Sequence, residues 1–231
     1  LPLFHSYGMS TCLNLGTLLG ASMILVANPR VLIHILKSIA KHRPTVYPAV
    51  PAMYVAINNY PEISKFDVSS IKACISGAAG LPVEVQEKFQ SLTGARLVEG
   101  YGLTECGPLT HANLSTFSKI TGMAARETLG IGLPVPDTEV KIVDLETGEE
   151  LAAGQSGELL IRGPQTMKGY WPKAGSGLDE GWLHTGDIGR MDENGFVELV
   201  KRPVEWKRGQ RLKIGDGPFA GLDAIFLEEL P

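Results

Sequence analysis

The sequence predicts an α/β chain in three parts. A parallel βαβ sheet subdomain spans residues 1–114, a mostly antiparallel β subdomain spans 115–202, and a short β tail spans 203–231. Three observations lead there. In the first part, stretches with helical spacing of apolar residues alternate with short apolar runs that end in glycine, the pattern of parallel βαβ units. After about Leu114 the helical period disappears and short runs of alternating polarity replace it. From Gly209 onward a new strand–turn–strand pattern begins.

The elements follow in order. Residues 10–20 are rich in small residues and predict a helix, and SMILVA (22–27) predicts a buried strand at Met23–Val26. Positions 31, 32, 35, 36 and 39 form one apolar stripe, with Lys37 and Lys41 off it, so Val31–His42 is an amphipathic helix that Pro44 stops. TVYPAV (45–50) is a short strand, and Pro51 opens the helix AMYVAINN from the position that suits proline. KFDVSS (65–70) is a turn and helix-cap region. IKACIS (71–76) is a strand ending at Gly77. Pro82 begins a helix to about Leu92, with Glu84 and Glu87 near its positive end. Arg96–Val98 is a strand. Farther on, EVKIVDLETGEEL is strand, turn and strand, and GELLIRG is a strand between glycines. DIGRMDENGFVELV is a hairpin around an Asp-Glu-Asn-Gly turn.

Composition narrows the function. The chain has 231 residues, 44% hydrophobic, with a net charge of −4. That balance argues against nucleic acid as a partner of the whole surface. Cys12, Cys74 and Cys106 have no CxxC spacing and suit reduced thiols in a cytoplasmic protein. The most apolar stretch, Leu13–Ala27, includes Asn14, Thr17 and Ser22 and is too short to span a bilayer. His34, His42 and His111 lack metal-ligand spacing and are assigned to surface or core. Glu84, Glu87, Glu149 and Glu150 are expected to be solvated charges.

Chemistry concentrates at two glycine-bearing turns, SGAAGLP (76–82) and EGYGLTE (99–105), each expected after a parallel strand. Ligands of α/β sheets sit beyond such carboxyl ends. Gly77, Ala78 and Ala79 would let a flat ring lie against backbone, and Tyr101 could stack on it. Gly102 would let main chain approach a phosphate, Thr104 could donate to a phosphate oxygen, and Glu105 offers a hard oxygen ligand for Mg²⁺. HTGDIG (184–189) puts Asp187 in a tight turn at the start of a hairpin, where a carboxylate suits two ribose hydroxyls. Each feature alone also fits an ordinary turn. Together they describe a site for an adenylate.

These stretches also carry a family resemblance. PLFHSYG, EGYGLTE, GELLIRGPQTMKGYW and GWLHTGDIGRMDENGF, in that order, resemble successive signatures of the adenylate-forming superfamily, the AMP-dependent synthetases and ligases. VPAMYVAINNYPEISKFDVSSIKACISGAAGLPVEVQEKF narrows the likeness to long-chain fatty-acid–CoA ligases. The resemblance implies ATP and a fatty acid or other carboxylate as substrates, an acyl-adenylate and pyrophosphate as products of the first step, and coenzyme A as co-substrate of the second, which releases AMP. Gly77, Ala78, Ala79, Glu99, Gly100 and Tyr101 would border adenine. Thr104 would contact phosphate, Glu105 would bind Mg²⁺, and Asp187 and Arg202 would hold the ribose. His5 matches an aromatic position beside the acyl-carboxylate pocket, with a positional or gating role. A packed histidine at a strand end is its bland alternative. The acyl substrate would also allow peripheral association with membranes.

Departures from the family pattern matter as well. The chain has no Ser/Thr/Gly-rich phosphate loop ending in lysine, nor any GxxxxGK[ST] run. After Arg202, PVEWKRGQ stands where the family has a hinge acid and a lysine-bearing domain. GQRLKIGDGPFAGLDAIFLEELP (209–231) resembles instead part of the KOW module of NusG/RfaH-type transcription factors. Lys201, Arg202, Lys207, Arg208, Arg211 and Lys213 make a basic run, nearly cancelled by Asp216, Asp223, Glu228 and Glu229. The expectation is therefore a ligase fragment that is weak or inactive alone. The alternatives are a non-catalytic AMP or acyl-adenylate module, or a transcription-related protein acting through its tail. An apolar sheet face left uncovered would favour aggregation.

Overall fold

The computed structural model describes residues 1–113 and 130–200, and two three-residue strands near the C-terminus. The chain divides into two compact units, Leu1–Val200 and Lys201–Pro231. In the second, β10 (Arg211–Lys213) pairs antiparallel with β11 (Asp223–Ile225), Leu212 opposite Ala224. This hairpin matches the expected strands of the tail.

The first unit begins with a helix wound in π form over Gly8–Asn14 that continues as α1 (Leu15–Leu18). Gly20, at φ +63°, ends it. α2 (Leu32–His42) buries Ile35, Leu36 and Ile39, the predicted stripe. Its last turn closes on Arg43, left-handed at φ 50°, one residue before Pro44. α3 (Pro51–Asn58) carries proline in its first turn, and α4 (Val83–Thr93) has Glu84 near its N-terminus. Gly94, at φ 71°, caps α4 and donates its N–H to Gln90 O at 2.8 Å.

Four strands form the first sheet in the order β1 (Ala73–Ser76), β2 (Arg96–Tyr101), β3 (His111–Ala112), β4 (Leu133–Pro134). β1 and β2 run parallel, Ile75 opposite Val98, whereas β3 and β4 run antiparallel to their neighbours. The expected strand TVYPAV appears as two isolated parallel bridges, Val46 to Ala73 and Ala49 to Ser76. Pro48 lies between them and has no N–H to continue a ladder. The helices pack a core of Leu36, Tyr54, Ile57, Ile71, Phe89 and Leu97, all fully buried. Each such side chain contributes about 1.5–3 kcal/mol by leaving water. Tyr54 and Phe89 meet edge to face, centroids 4.8 Å apart.

The second sheet holds β5 (Glu139–Val143), β6 (Ser156–Arg162), β8 (Trp182–Met191) and β7 (Leu178–Asp179), with β9 (Val197–Leu199) also on β8. Every pairing is antiparallel, as predicted. Asp144 and Asp192 close the two turns by accepting backbone N–H groups two to four residues on. Ile142, Leu159, Ile161, Leu183 and Val197 form its core, joined by Cys106 from the first sheet's side.

Three local expectations are corrected. Met23–Val26 is not a strand: it pairs with nothing among the described residues, and Leu25 is 72% exposed. Its apolar run resembles a strand, but a strand also needs a ladder partner. Leu18 and Leu19 nearby are 81% and 70% exposed. Second, β2 does not stop at Val98 but runs to Tyr101, because β3 pairs with Gly100 and Tyr101. Third, Asp187 is not in a tight turn, although the β8–β9 hairpin pairing does begin directly after it, at Ile188. Asp187 lies within β8, where Gly186 at φ +74° interrupts the regular pleat.

Candidate functional site

A cleft of about 270 Å³ opens where the π-wound helix, the end of β1 and the turn after β2 converge. His5, Gly77, Ala78, Gly100, Gly102, Thr104 and Glu105 all line it, seven of the residues marked from the sequence. Ala79 is exposed and stands outside this wall. Arg202 lies outside the described residues.

Backbone packing explains the small residues. A Cβ on Gly77 would sit 3.2 Å from the Tyr7 ring, and one on Gly100 would sit 3.1 Å from Leu109 and 3.2 Å from Ile75. Gly102 is the most constrained: its Cβ would fall 1.9 Å from the Pro108 carbonyl oxygen. Ala78 adopts φ 70°, an uncommon conformation for alanine.

The polar groups come from separate elements. Thr104 Oγ1 lies 3.2 Å from Ser6 Oγ, so two hydroxyls meet at the cleft. Glu105 is half-buried and its Oε1 accepts the Tyr170 hydroxyl at 2.8 Å. Its main-chain carbonyl accepts Met167 N–H at 2.7 Å, so the 163–177 loop is tied to this residue twice. Glu105 is a hard acceptor on the cleft wall. Among the described residues no group of three or more His, Cys, Asp or Glu gathers for a metal. One carboxylate still suits Mg²⁺, which keeps several waters and takes further oxygens from phosphate. His5 is exposed, and its Nδ1 accepts Tyr7 N–H at 3.1 Å at a helix start, not a strand end.

Tyr101 and Asp187 lie beside this cleft rather than on its wall. The Tyr101 hydroxyl donates to Asp187 Oδ2 at 2.5 Å. Burial, reinforced by that carboxylate, holds the phenol well above its ordinary titration range. The Tyr101 ring meets His111 edge to face at 5.8 Å. His111 is fully buried, its Nδ1 lies 3.0 Å from Thr110 Oγ1, and burial depresses its pKa from 6.5 to about 4. Glu99 turns toward the other glycine turn, where its Oε1 accepts Leu81 N–H at 3.1 Å. Burial raises its pKa, and that N–H works in the opposite direction.

Sequence reasoning missed Ser6 and Tyr170. Both are polar residues within the quoted motifs. Their partners, Thr104 and Glu105, are 98 and 65 residues away, so no local pattern marks them.

Comparison with known proteins follows the same lines. The family model described as AMP-binding enzyme matches residues 1–171. A long-chain-fatty-acid–CoA ligase of Bacillus subtilis (strain 168) is 45% identical over 204 residues, covering 87% of this chain and 35% of that protein. A ligase of the same description from Salmonella typhimurium (strain LT2) is 40% identical over 207 residues, with the same coverage. Among solved structures, the anthranilate CoA ligase AuaEII, in complex with anthranoyl-AMP, superposes with a TM-score of 0.75 at 27% identity. That match covers 96% of this chain and 40% of that one. A long-chain-fatty-acid-CoA ligase from Archaeoglobus fulgidus gives 0.70 at 28% identity, over 87% and 42%. The chain thus spans about a third of the length of the curated relatives it matches. With a family match over 171 of 231 residues and a cleft built from the motifs that define the likeness, the chain belongs to the AMP-binding enzyme family.

Proposed function

We propose that the cleft holds the adenylate portion of a carboxylate-activating ligase that acts on long-chain fatty acids. The observation that carries this reading is convergence: a glycine-lined wall, paired hydroxyls at Thr104 and Ser6, and the Glu105 carboxylate share one cleft. Tyr101 and Asp187 are bonded to each other beside it.

In the proposed reaction a fatty-acid carboxylate oxygen attacks the α-phosphorus of ATP. The bond to the β-phosphate breaks and pyrophosphate leaves. The sulfur of coenzyme A then attacks the acyl carbon, and AMP departs with the bonding pair. The first nucleophile is already an anion at neutral pH, so no general base is required of His5. The chain's contribution is positioning and charge stabilisation. Gly77, Ala78 and Gly100 present backbone against which a flat base lies, Thr104 and Ser6 donate to phosphate oxygens, and Asp187 accepts from ribose hydroxyls. Glu105 would hold Mg²⁺, which when bound neutralises phosphate charge. His5 orients the carboxylate.

Calorimetric titration of the 231-residue chain with AMP and Mg²⁺ tests this. Binding is expected, with Asp187→Ala weakening it by roughly tenfold or more. Failure of the unmodified chain to bind AMP would sink the reading.

A further inference from the structure

Asp187 is held in place from an unexpected direction. In the β6–β8 ladder Glu158 stands opposite Ile188, and Leu160 opposite His184. Two steps along β6 therefore span four along β8, and residues 185–187 form a bulge. A bulge leaves backbone amides without ladder partners, so they take acceptors from elsewhere. Side chains supply them here. Glu158 Oε1 accepts Gly186 N–H at 3.0 Å, and Thr185 Oγ1 accepts Asp187 N–H at 3.1 Å while donating to Leu159 O at 2.7 Å.

Glu158 uses its second oxygen as well. Oε2 lies 2.9 Å from His184 Nδ1, and a carboxylate only accepts, so Nδ1 carries the proton. The Glu158 side chain is 17% exposed, which sets it apart from the exposed surface carboxylates. His184, which flanks the bulge, and Gly186, at its middle, thus hang on one carboxylate from the neighbouring strand. Asp187, the last residue of the bulge, accepts from the Tyr101 hydroxyl.

We propose that Glu158 is a positioning residue for nucleotide recognition: by holding the 185–187 bulge it aims the Asp187 carboxylate at the ribose. The inference rests on the reading that Asp187 accepts from ribose hydroxyls. It gives the glutamate of GELLIRG a role that acts through Asp187 and not through contact with the ligand.

The test compares two ligands, AMP and AMP lacking both ribose hydroxyls, titrated calorimetrically into the full 231-residue chain. Asp187→Ala is the reference and should lose AMP affinity while leaving the stripped analogue unchanged. If it does not separate the two ligands, or if the unmodified chain binds no AMP, the ribose reading fails and the inference falls with it. Given that separation, Glu158→Ala should reproduce it, with an AMP loss of about tenfold. Glu158→Gln, which retains an acceptor for Gly186 N–H, should recover most of that loss and serves as the probe if the alanine variant does not fold. The Glu158→Ala/Asp187→Ala double variant should bind AMP no more weakly than Asp187→Ala alone. Equal losses for both ligands, no loss at all, or additive losses in the double variant would each overturn the proposal while leaving the ribose reading intact.

Discussion

The Tyr101 hydroxyl donates to Asp187 Oδ2 at 2.5 Å across 86 residues of chain, joining the end of β2 to the interior of β8. This bond ties the glycine motif of the first sheet to the acidic motif of the second. Replacing it tests how strongly the two sheets depend on each other. Tyr101→Phe keeps the ring against His111 and removes only the donor. It should cost about 1–2 kcal/mol, read as a lower urea midpoint with unchanged slope.

His111 predicts an acid-side loss of stability. Its buried, neutral ring has a pKa near 4, whereas an unfolded histidine titrates near 6.5. The unfolded chain therefore takes up the proton first as pH falls. The stabilisation is complete above about 6.5 and disappears progressively toward 4, amounting to ~3 kcal/mol. Urea midpoints measured across that window should fall for the natural chain. They should fall less for His111→Phe, which has no proton to gain.

The alkaline side has its own limit. Burial pushes the phenols of Tyr7, Tyr47, Tyr54 and Tyr101 above their ordinary value of 10. Their stabilisation is present below about 10 and is lost as pH rises beyond it, because only the unfolded chain can readily ionise them. Of the six tyrosines, these four should contribute phenolate absorbance together with unfolding, not ahead of it, whereas Tyr170, 52% exposed, ionises without it.

Gly102→Ala should be far more damaging than its size suggests. The added methyl would lie 1.9 Å from Pro108 O and 2.9 Å from Leu109 Cα, both backbone atoms. A loss of about 1–3 kcal/mol is expected from overpacking, with weaker AMP binding as the turn shifts. Gly148→Ala is the control for backbone strain. Unlike Gly102 it has positive φ, +71°, but its Cβ would meet nothing within 4 Å, so its cost should be smaller.

The exposed apolar residues at the start of the unit should govern solubility. Leu18→Glu combined with Leu25→Lys should suppress light scattering on concentration while leaving the melting temperature nearly unchanged. Both side chains are largely exposed, and substitutions at such sites cost about 0.5 kcal/mol or less.

Much of the fold could be read locally. Pro51 starting a helix, the 31–39 stripe, and aspartate–glycine turns at Asp144 and Asp192 each act within a few residues. Met23–Val26 defeated the same reading, since hydrophobicity reveals a demand for burial but not which ladder meets it. At the site, Thr104, Glu105 and Gly77 lie on the cleft as their motifs suggested, while the reason for Gly102 was closer to hand: room for Pro108 rather than for a ligand alone. Glu158, Ser6 and Tyr170 stayed hidden because their significance comes from partners on other elements. For Glu158 it also comes from a register slip that no single strand records.

Cys106 follows Glu105 directly and is sealed into the core of the second sheet. The carboxylate on the cleft wall is thereby moored to hydrophobic packing outside the wall. Trimming Leu159 or Ile161 removes no wall residue, yet it slackens that mooring. Libraries aimed at altering this enzyme family's selectivity through such a chain should sample the β6 interior alongside the visible lining.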